Sequence, residues 1–232
     1  VMGAFSGLEI ACWDILGKAR NRPVHALLGG RMNDRIRSYT YLYPEPGQEN
    51  TDFWVDPDAA AEVYAAWGRA TESLDAQHLP ITCGLNMTEN VMMTPAIMEC
   101  LAAAAGSTSA AMKVCDARGT RSVADNPLIR VLEDAMRFYF EFHFDDGDGF
   151  LAHLHDPLAA AVALDPGLIT TRLTTVDVEL TGTLTRGMTI ADWDGRWGRC
   201  PNARVGVDVD PDVFFQRFVD RVGPFARRIA HS

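Results

Sequence analysis

The chain has 232 residues, 47% of them hydrophobic and 22% charged, with a formal net charge of -10 at pH 7. That length holds one substantial domain or two small ones, and no apolar run approaches the roughly 20 residues of a membrane helix. The negative balance argues against nucleic-acid backbones and anionic membrane surfaces as partners and allows a neutral small molecule or a cation.

Five scattered cysteines, Cys12, Cys83, Cys100, Cys115 and Cys200, show no Cys-x-x-Cys. They read as reduced thiols of a cytoplasmic protein rather than as a disulfide framework or a zinc site. The N-terminal stretch lacks a leading basic segment and is interrupted by Glu9 and Asp14, so it does not read as a secretory signal.

Residues 1–52 have a texture of their own. "SGLEIACWDILGKARNRPVHALLGG" predicts a helix, then a short helical turn that Gly29-Gly30 stops; the strand-like "RIRSYTYLYP" and the polar "EPGQENTD" follow. A boundary is expected near residue 52. One helix and one strand cannot enclose a core, so this segment has to lean on the rest or on another chain.

Beyond the boundary, helices begin alike. Asp56-Pro57, Thr94-Pro95, Asn126-Pro127, Asp156-Pro157 and Asp210-Pro211 each set a capping side chain before a proline. The cap oxygen accepts from a free backbone N–H, and the proline fills a first-turn position whose own N–H would have no partner. Between the first two lies "LPITCGLN" (79–86), a compact apolar strand; 104–125 is small and polar and reads as a loop. In "NPLIRVLEDAMRFYFEFH" the expected apolar stripe is Leu128, Leu132, Ala135, Tyr139 and Phe142. "TTVDVELTGTL", "GMTIADWDG" and "NARVGVDVD" alternate as half-exposed strands, and a closing helix should bury Phe214, Phe215, Phe218 and Val222. The order predicts an α/β fold whose sheet is mostly parallel, with flanking helices and antiparallel hairpins near its end.

Read from the residues alone, Asp156 is one of five caps before proline, His155 an ordinary histidine, and Tyr139 a core residue. Asp145, Asp146 and Asp148 lack EF-hand spacing and read as a solvated loop.

The second unit, 53–232, carries a resemblance. "FWVDPDAAAEVYAA", "LPITCGLNMTENVMMTPAIM", "RFYFEFHFDDGDGFLAHLHDPLAAAVALDP" and "VDVELTGTLTRGMTIADWDGRWGRCPNARVGVDVDPDVFF" occur in an order and spacing that resemble the inosine-uridine preferring nucleoside hydrolases over about residues 53–225. The resemblance implies hydrolysis of the N-glycosidic bond of ribonucleosides, with a small-molecule ribonucleoside as partner and Ca²⁺ as cofactor. It implies that Asp156 is a calcium ligand, that His155 is catalytic on the side of the leaving base, and that His143 and Tyr139 bind substrate. Such enzymes also carry an N-terminal Asp-rich calcium signature and a ribose-binding Glu-x-Asn, and neither pattern stands in residues 1–52. An impaired or inactive hydrolase is therefore expected.

Residues 1–52 are instead similar to the enolase superfamily, in its mandelate racemase or sugar-acid dehydratase branch, which makes a hybrid chain the expectation. Two further readings stay open. One is a non-catalytic fold remnant that forms homo-oligomers through an exposed sheet edge. The other is an enolase-superfamily dehydratase fragment, for which the barrel lysines and acidic ligands are lacking.

Overall fold

The computed structural model describes residues 18–22, 57–70, 75–109 and 112–230. The chain divides into two compact units, Val1–Ser38 and Tyr39–Ser232. The helix and strand expected over residues 1–52 lie outside the described residues, apart from 18–22; so does the boundary near 52.

The helices of the second unit are α1 (Pro57–Ala70), α2 (Leu85–Thr88), α3 (Pro95–Ala105), α4 (Pro127–Asp146), α5 (His155–Leu164) and α6 (Pro211–Ile229). Its strands are β1 (Ile81–Thr82), β2 (Met92–Met93), β3 (Ala152–His153), β4 (Ile169–Thr174), β5 (Val176–Val178), β6 (Thr189–Ala191) and β7 (Ala203–Val209). The fold is mixed α/β, as expected. The expected parallel character is confined to one pairing among the described residues: β1 runs parallel to β7, while β4 pairs antiparallel with β7 on its other side. β2–β3 and β5–β6 are separate antiparallel pairs. The strand expected over 79–86 shrinks to β1, because Gly84 starts the short α2 immediately after it.

Capping before proline holds at three of the five expected places. Thr94 accepts from Ile97 N at 3.4 Å, Asn126 from Leu128 N and Ile129 N at 3.0 and 3.2 Å, and Asp210 from Asp212 N and Val213 N at 3.0 and 3.1 Å. Asp56 lies outside the described residues. Asp156 departs from the pattern: α5 begins one residue earlier, at His155, with Leu154 in the capping position. Its carboxylate thus stands inside the first turn, where the helix dipole favours a negative charge.

The main core gathers α2 to α6 around Met87, Val91, Leu101, Ile129, Phe140, Leu158 and Phe214. Phe140 is fully buried, which by itself contributes about 1.5–3 kcal/mol. A second cluster under α1 packs Ala60 and Tyr64 against Val176, Val178 and Ala203.

The stripe expected on α4 is rotated. The buried face runs Ile129, Glu133, Arg137, Phe140 and His143, while Phe142 is exposed and Leu128, Leu132, Ala135 and Tyr139 are half-buried. The reason is the loop before α4, which lies along that helix and covers two charged residues. Ser109 Oγ donates to Glu133 at 2.5 Å and Ser122 Oγ donates to its other oxygen. Arg137 meets Asp116 at 2.9 Å and Glu141 at 3.6 Å. A buried charge is tolerated when every partner is supplied in this way. On α6, Phe214 and Phe215 are buried as expected, Phe218 and Val222 are half-buried against the core, and Gly223 and Ala226 complete the face.

Candidate active site

Four short elements meet at one place. β3 pairs with β2, with Met92 opposite His153, and Leu154 N donates to the carbonyl of Val91 at 2.9 Å. That bond ties the residue before α5 to the residue before β2, and the last turn of α4 comes in beside β3. The histidines of α4, β3 and α5 converge. The rings of Tyr139 and His143 lie 4.7 Å apart, His143 and His153 4.9 Å, and His153 and His155 5.7 Å.

Each ring is held differently. His155 Nδ1 is 2.8 Å from Thr88 Oγ1, and Thr88 is buried at the end of α2. His153 Nδ1 stands 2.7 Å from the carbonyl of Glu89. A carbonyl only accepts, so this nitrogen carries the proton, and Nε2 holds the lone pair of the neutral ring. His143 is 8% exposed; its Nδ1 lies 3.3 Å from Asp148 Oδ2, and its Nε2 is buried with no hydrogen-bond partner among the described residues.

Tyr139 is half-buried. Burial, and after it the negative charge of Asp156, hold its phenol above the usual tyrosine range. The phenol and the Asp156 carboxylate therefore share one electrostatic neighbourhood, with Asp156 itself exposed.

Tyr139, His143, His155 and Asp156, the four residues singled out in the sequence, are thus gathered around one place. His153 was missed. Its signal was the alternation in "HLHDP": residues two apart on an extended strand share a face, so a second histidine beside His155 was legible. Asp148, read as a solvated loop residue, is the neighbour of His143.

Hydrolysis by a hard cation would need another donor set. Ca²⁺ takes six to eight oxygens, whereas Asp156 belongs to no group of three or more His, Cys, Asp or Glu side chains that share one point among the described residues. Among the described residues, acidic side chains grouped with Asp156 do not by themselves make a Ca²⁺ shell.

Comparison with known proteins agrees with this architecture. Residues 28–216 match the family described as inosine-uridine preferring nucleoside hydrolase. The pyrimidine-specific ribonucleoside hydrolase RihA of Salmonella newport (strain SL254) is 40% identical over 102 residues, which are 44% of this chain and 33% of that protein. RihA of Escherichia coli O1:K1 / APEC is 40% identical over the same length, again 33% of the relative. The chain thus spans about a third of the curated relatives it matches.

Among solved structures, a purine-preferring ribonucleoside hydrolase from Gardnerella vaginalis superimposes with a TM-score of 0.56 at 23% identity, over 78% of this chain and 48% of that one. The plant nucleoside hydrolase PpNRh1 gives 0.53 at 23% identity, over 74% and 46%. These likenesses concern the fold. The enolase-superfamily reading of residues 1–52 is not supported, since the nucleoside hydrolase match already begins at residue 28.

Proposed function

The chain belongs to the inosine-uridine preferring nucleoside hydrolase family, and from that membership we propose that its histidine cluster forms the leaving-group side of a ribonucleoside N-glycosidase site. In that reaction water adds to the sugar carbon, the bond to the base breaks, and the base leaves with a proton. The relatives are named for pyrimidine and for purine nucleosides, so the substrate class proposed is the ribonucleoside.

His155 is the proposed proton donor to the departing base, since an acid in hydrogen-bond reach lowers the cost of expelling an anionic base. Thr88 fixes its ring through the 2.8 Å contact. Tyr139 and His143 are proposed to flank the base, and Asp156 to lie toward the sugar. The observation that carries the reading is the convergence of Tyr139, His143 and His155 on one place, next to the first turn that bears Asp156.

The chain is proposed to bind nucleoside while hydrolysing it poorly by itself, because among the described residues Asp156 belongs to no group of three or more His, Cys, Asp or Glu side chains that could hold one ion. Uridine and inosine binding by calorimetry, with ribose release in the presence of Ca²⁺, tests both halves. Binding should vanish in His155→Ala and weaken about tenfold in Thr88→Val, the loss of about 1–1.5 kcal/mol expected for one hydrogen bond. Absence of nucleoside binding refutes the site; calcium-dependent turnover near a typical enzyme rate of about 10 s⁻¹ refutes the impairment.

A cytoplasmic setting is proposed from the thiols, Cys83, Cys100, Cys115 and Cys200 all being free. No helix among the described residues is long and apolar enough to cross a membrane. Self-association is proposed from the sequence reading, and a monomer on size-exclusion chromatography would refute it.

A further inference from the structure

We propose that His143, Asp148 and His153 form a binding site for a divalent transition-metal ion of the zinc and cobalt class, distinct from any cation position at Asp156. The inference stands on the donor set alone and does not need the chain to hydrolyse nucleosides.

Geometry comes first. One ligand atom from each of the three side chains lies within 4.8 Å of the others. Donors about 2.0–2.1 Å from a tetrahedral zinc ion are about 3.3–3.4 Å from one another. Side-chain rotation closes the remaining gap, since Asp148 is exposed on a turn and His153 is only half-buried. The His143–Asp148 contact is already at 3.3 Å. That is long for a hydrogen bond to a carboxylate, which runs about 2.7–2.9 Å, yet it is the spacing of two ligands on one ion.

The chemistry of the rings agrees. A buried imidazole ordinarily satisfies both nitrogens. His143 Nδ1 has only the long contact to Asp148, so it is the ring nitrogen that could face an ion shared with that carboxylate; its Nε2 is buried with no hydrogen-bond partner among the described residues. His153 is prepared in the opposite way. Its Nδ1 is tied to the carbonyl of Glu89 at 2.7 Å, which leaves Nε2 as the lone-pair nitrogen. Metal-binding histidines use the same arrangement, their second nitrogen fixed by a backbone carbonyl or carboxylate.

Two imidazoles and one carboxylate are borderline donors, which suit Zn²⁺ or Co²⁺ and not the all-oxygen shell of Ca²⁺. The neighbouring His155 is not one of the three grouped donors, so water would complete the shell.

The spacing is local and even: His143, four residues, Asp148, four residues, His153. Between them Gly147 and Gly149 take positive φ of 91° and 108°, the conformations that let so short a turn reverse from α4 into β3. An ion held here clamps the end of α4 to β3 and so fixes the strand that leads directly into His155.

The test is a titration of the untagged full chain with Co²⁺, read by calorimetry for stoichiometry and by visible absorption for geometry. One ion per chain at micromolar affinity is expected, with the d–d bands of a nitrogen- and oxygen-bound ion and no displacement by excess Ca²⁺. Asp148→Asn, His143→Gln and His153→Ala should each weaken binding by about 10–100-fold, at least the loss seen when groups around a metal site are removed. His155→Gln and Asp156→Asn should leave it unchanged. Asp148 is exposed, so Asp148→Asn keeps the test valid if His143→Gln fails to fold. Absence of binding at millimolar ion overturns the proposal. So does affinity that survives all three substitutions, which would place the ion elsewhere, or a thiolate-to-cobalt charge-transfer band, which would place it on a cysteine such as the exposed Cys100, Cys115 or Cys200.

Discussion

Replacing Gly223 by alanine probes a close contact between α3 and α6. A Cβ built there lies 2.5 Å from Ala104 Cβ and 3.0 Å from the Ala104 carbonyl carbon. Carbon atoms pack at about 3.5–4.0 Å, so α3 and α6 would have to part by about 1 Å or more. Two bonds beside the contact would stretch with them: Arg227 to the carbonyl of Ala104 at 2.8 Å, and Asn126 to the carbonyl of Ala226 at 2.9 Å. Pro224 adds a local penalty, because its ring crowds a Cβ on the preceding residue when that residue is helical.

Overpacking of this kind costs about 1–3 kcal/mol, and the better helix propensity of alanine returns up to about 1 kcal/mol. The net loss is therefore about 1–2 kcal/mol, a fall in Tm of about 2–8 °C for a chain of this size. Circular dichroism melts of Gly223→Ala, Ala104→Gly and the double variant measure it. The double variant should recover part of the loss, with a coupling energy of about 0.5 kcal/mol or more. A Gly223→Ala protein that melts at or above the parent, or strictly additive substitutions, would refute the reasoning.

Asn126→Ala should cost about 2–3 kcal/mol, losing a helix cap and leaving the buried carbonyl of Ala226 unpaired; the urea midpoint should drop with an unchanged m-value. Acid should unfold the protein through its paired carboxylates. Backbone N–H groups of Lys113 and Thr181 chiefly hold Asp116 and Glu179 below their ordinary range, Ser107 does so for Asp125, and Arg217 for Asp165. Groups so depressed stabilise the fold above their unfolded pKa of about 4 and lose that contribution as pH falls through the lower folded value. Tm should therefore decline from pH 5 downward, and a flat profile to about pH 2.5 would contradict this. Burial pushes the Cys83 thiol up to about 11, so at pH 8 iodoacetamide should label Cys100, Cys115 and Cys200 well before Cys83, read by peptide mass mapping.

The helix starts were legible because Thr94, Asn126 and Asp210 act locally, through their own side chains on the next turn. The same rule failed at Asp156, where a long-range bond from Leu154 to Val91 starts α5 one residue early. Periodicity misplaced the face of α4 because Glu133 and Arg137 look like surface residues; only the loop carrying Ser109, Asp116 and Ser122 makes them interior, and a loop's path leaves no periodic trace. Tyr139, His143 and His155 were found through a family likeness, whereas His153 had only a two-residue alternation to announce it.

The sheet has a consequence for synthesis. Its central strand, β7, is the last of the described strands in chain order, and its parallel partner β1 precedes it by about half the chain, Ile81 lying against Arg204. Pairings between segments so far apart form slowly, because the intervening chain must first be closed into a loop. Helices α2 to α5 of the main core are translated earlier and gather from nearer neighbours, while α6 follows β7. Their nascent bundle waits with its strands unzipped until residues 203–209 arrive, and a holdase acting on this protein would find its substrate in that interval.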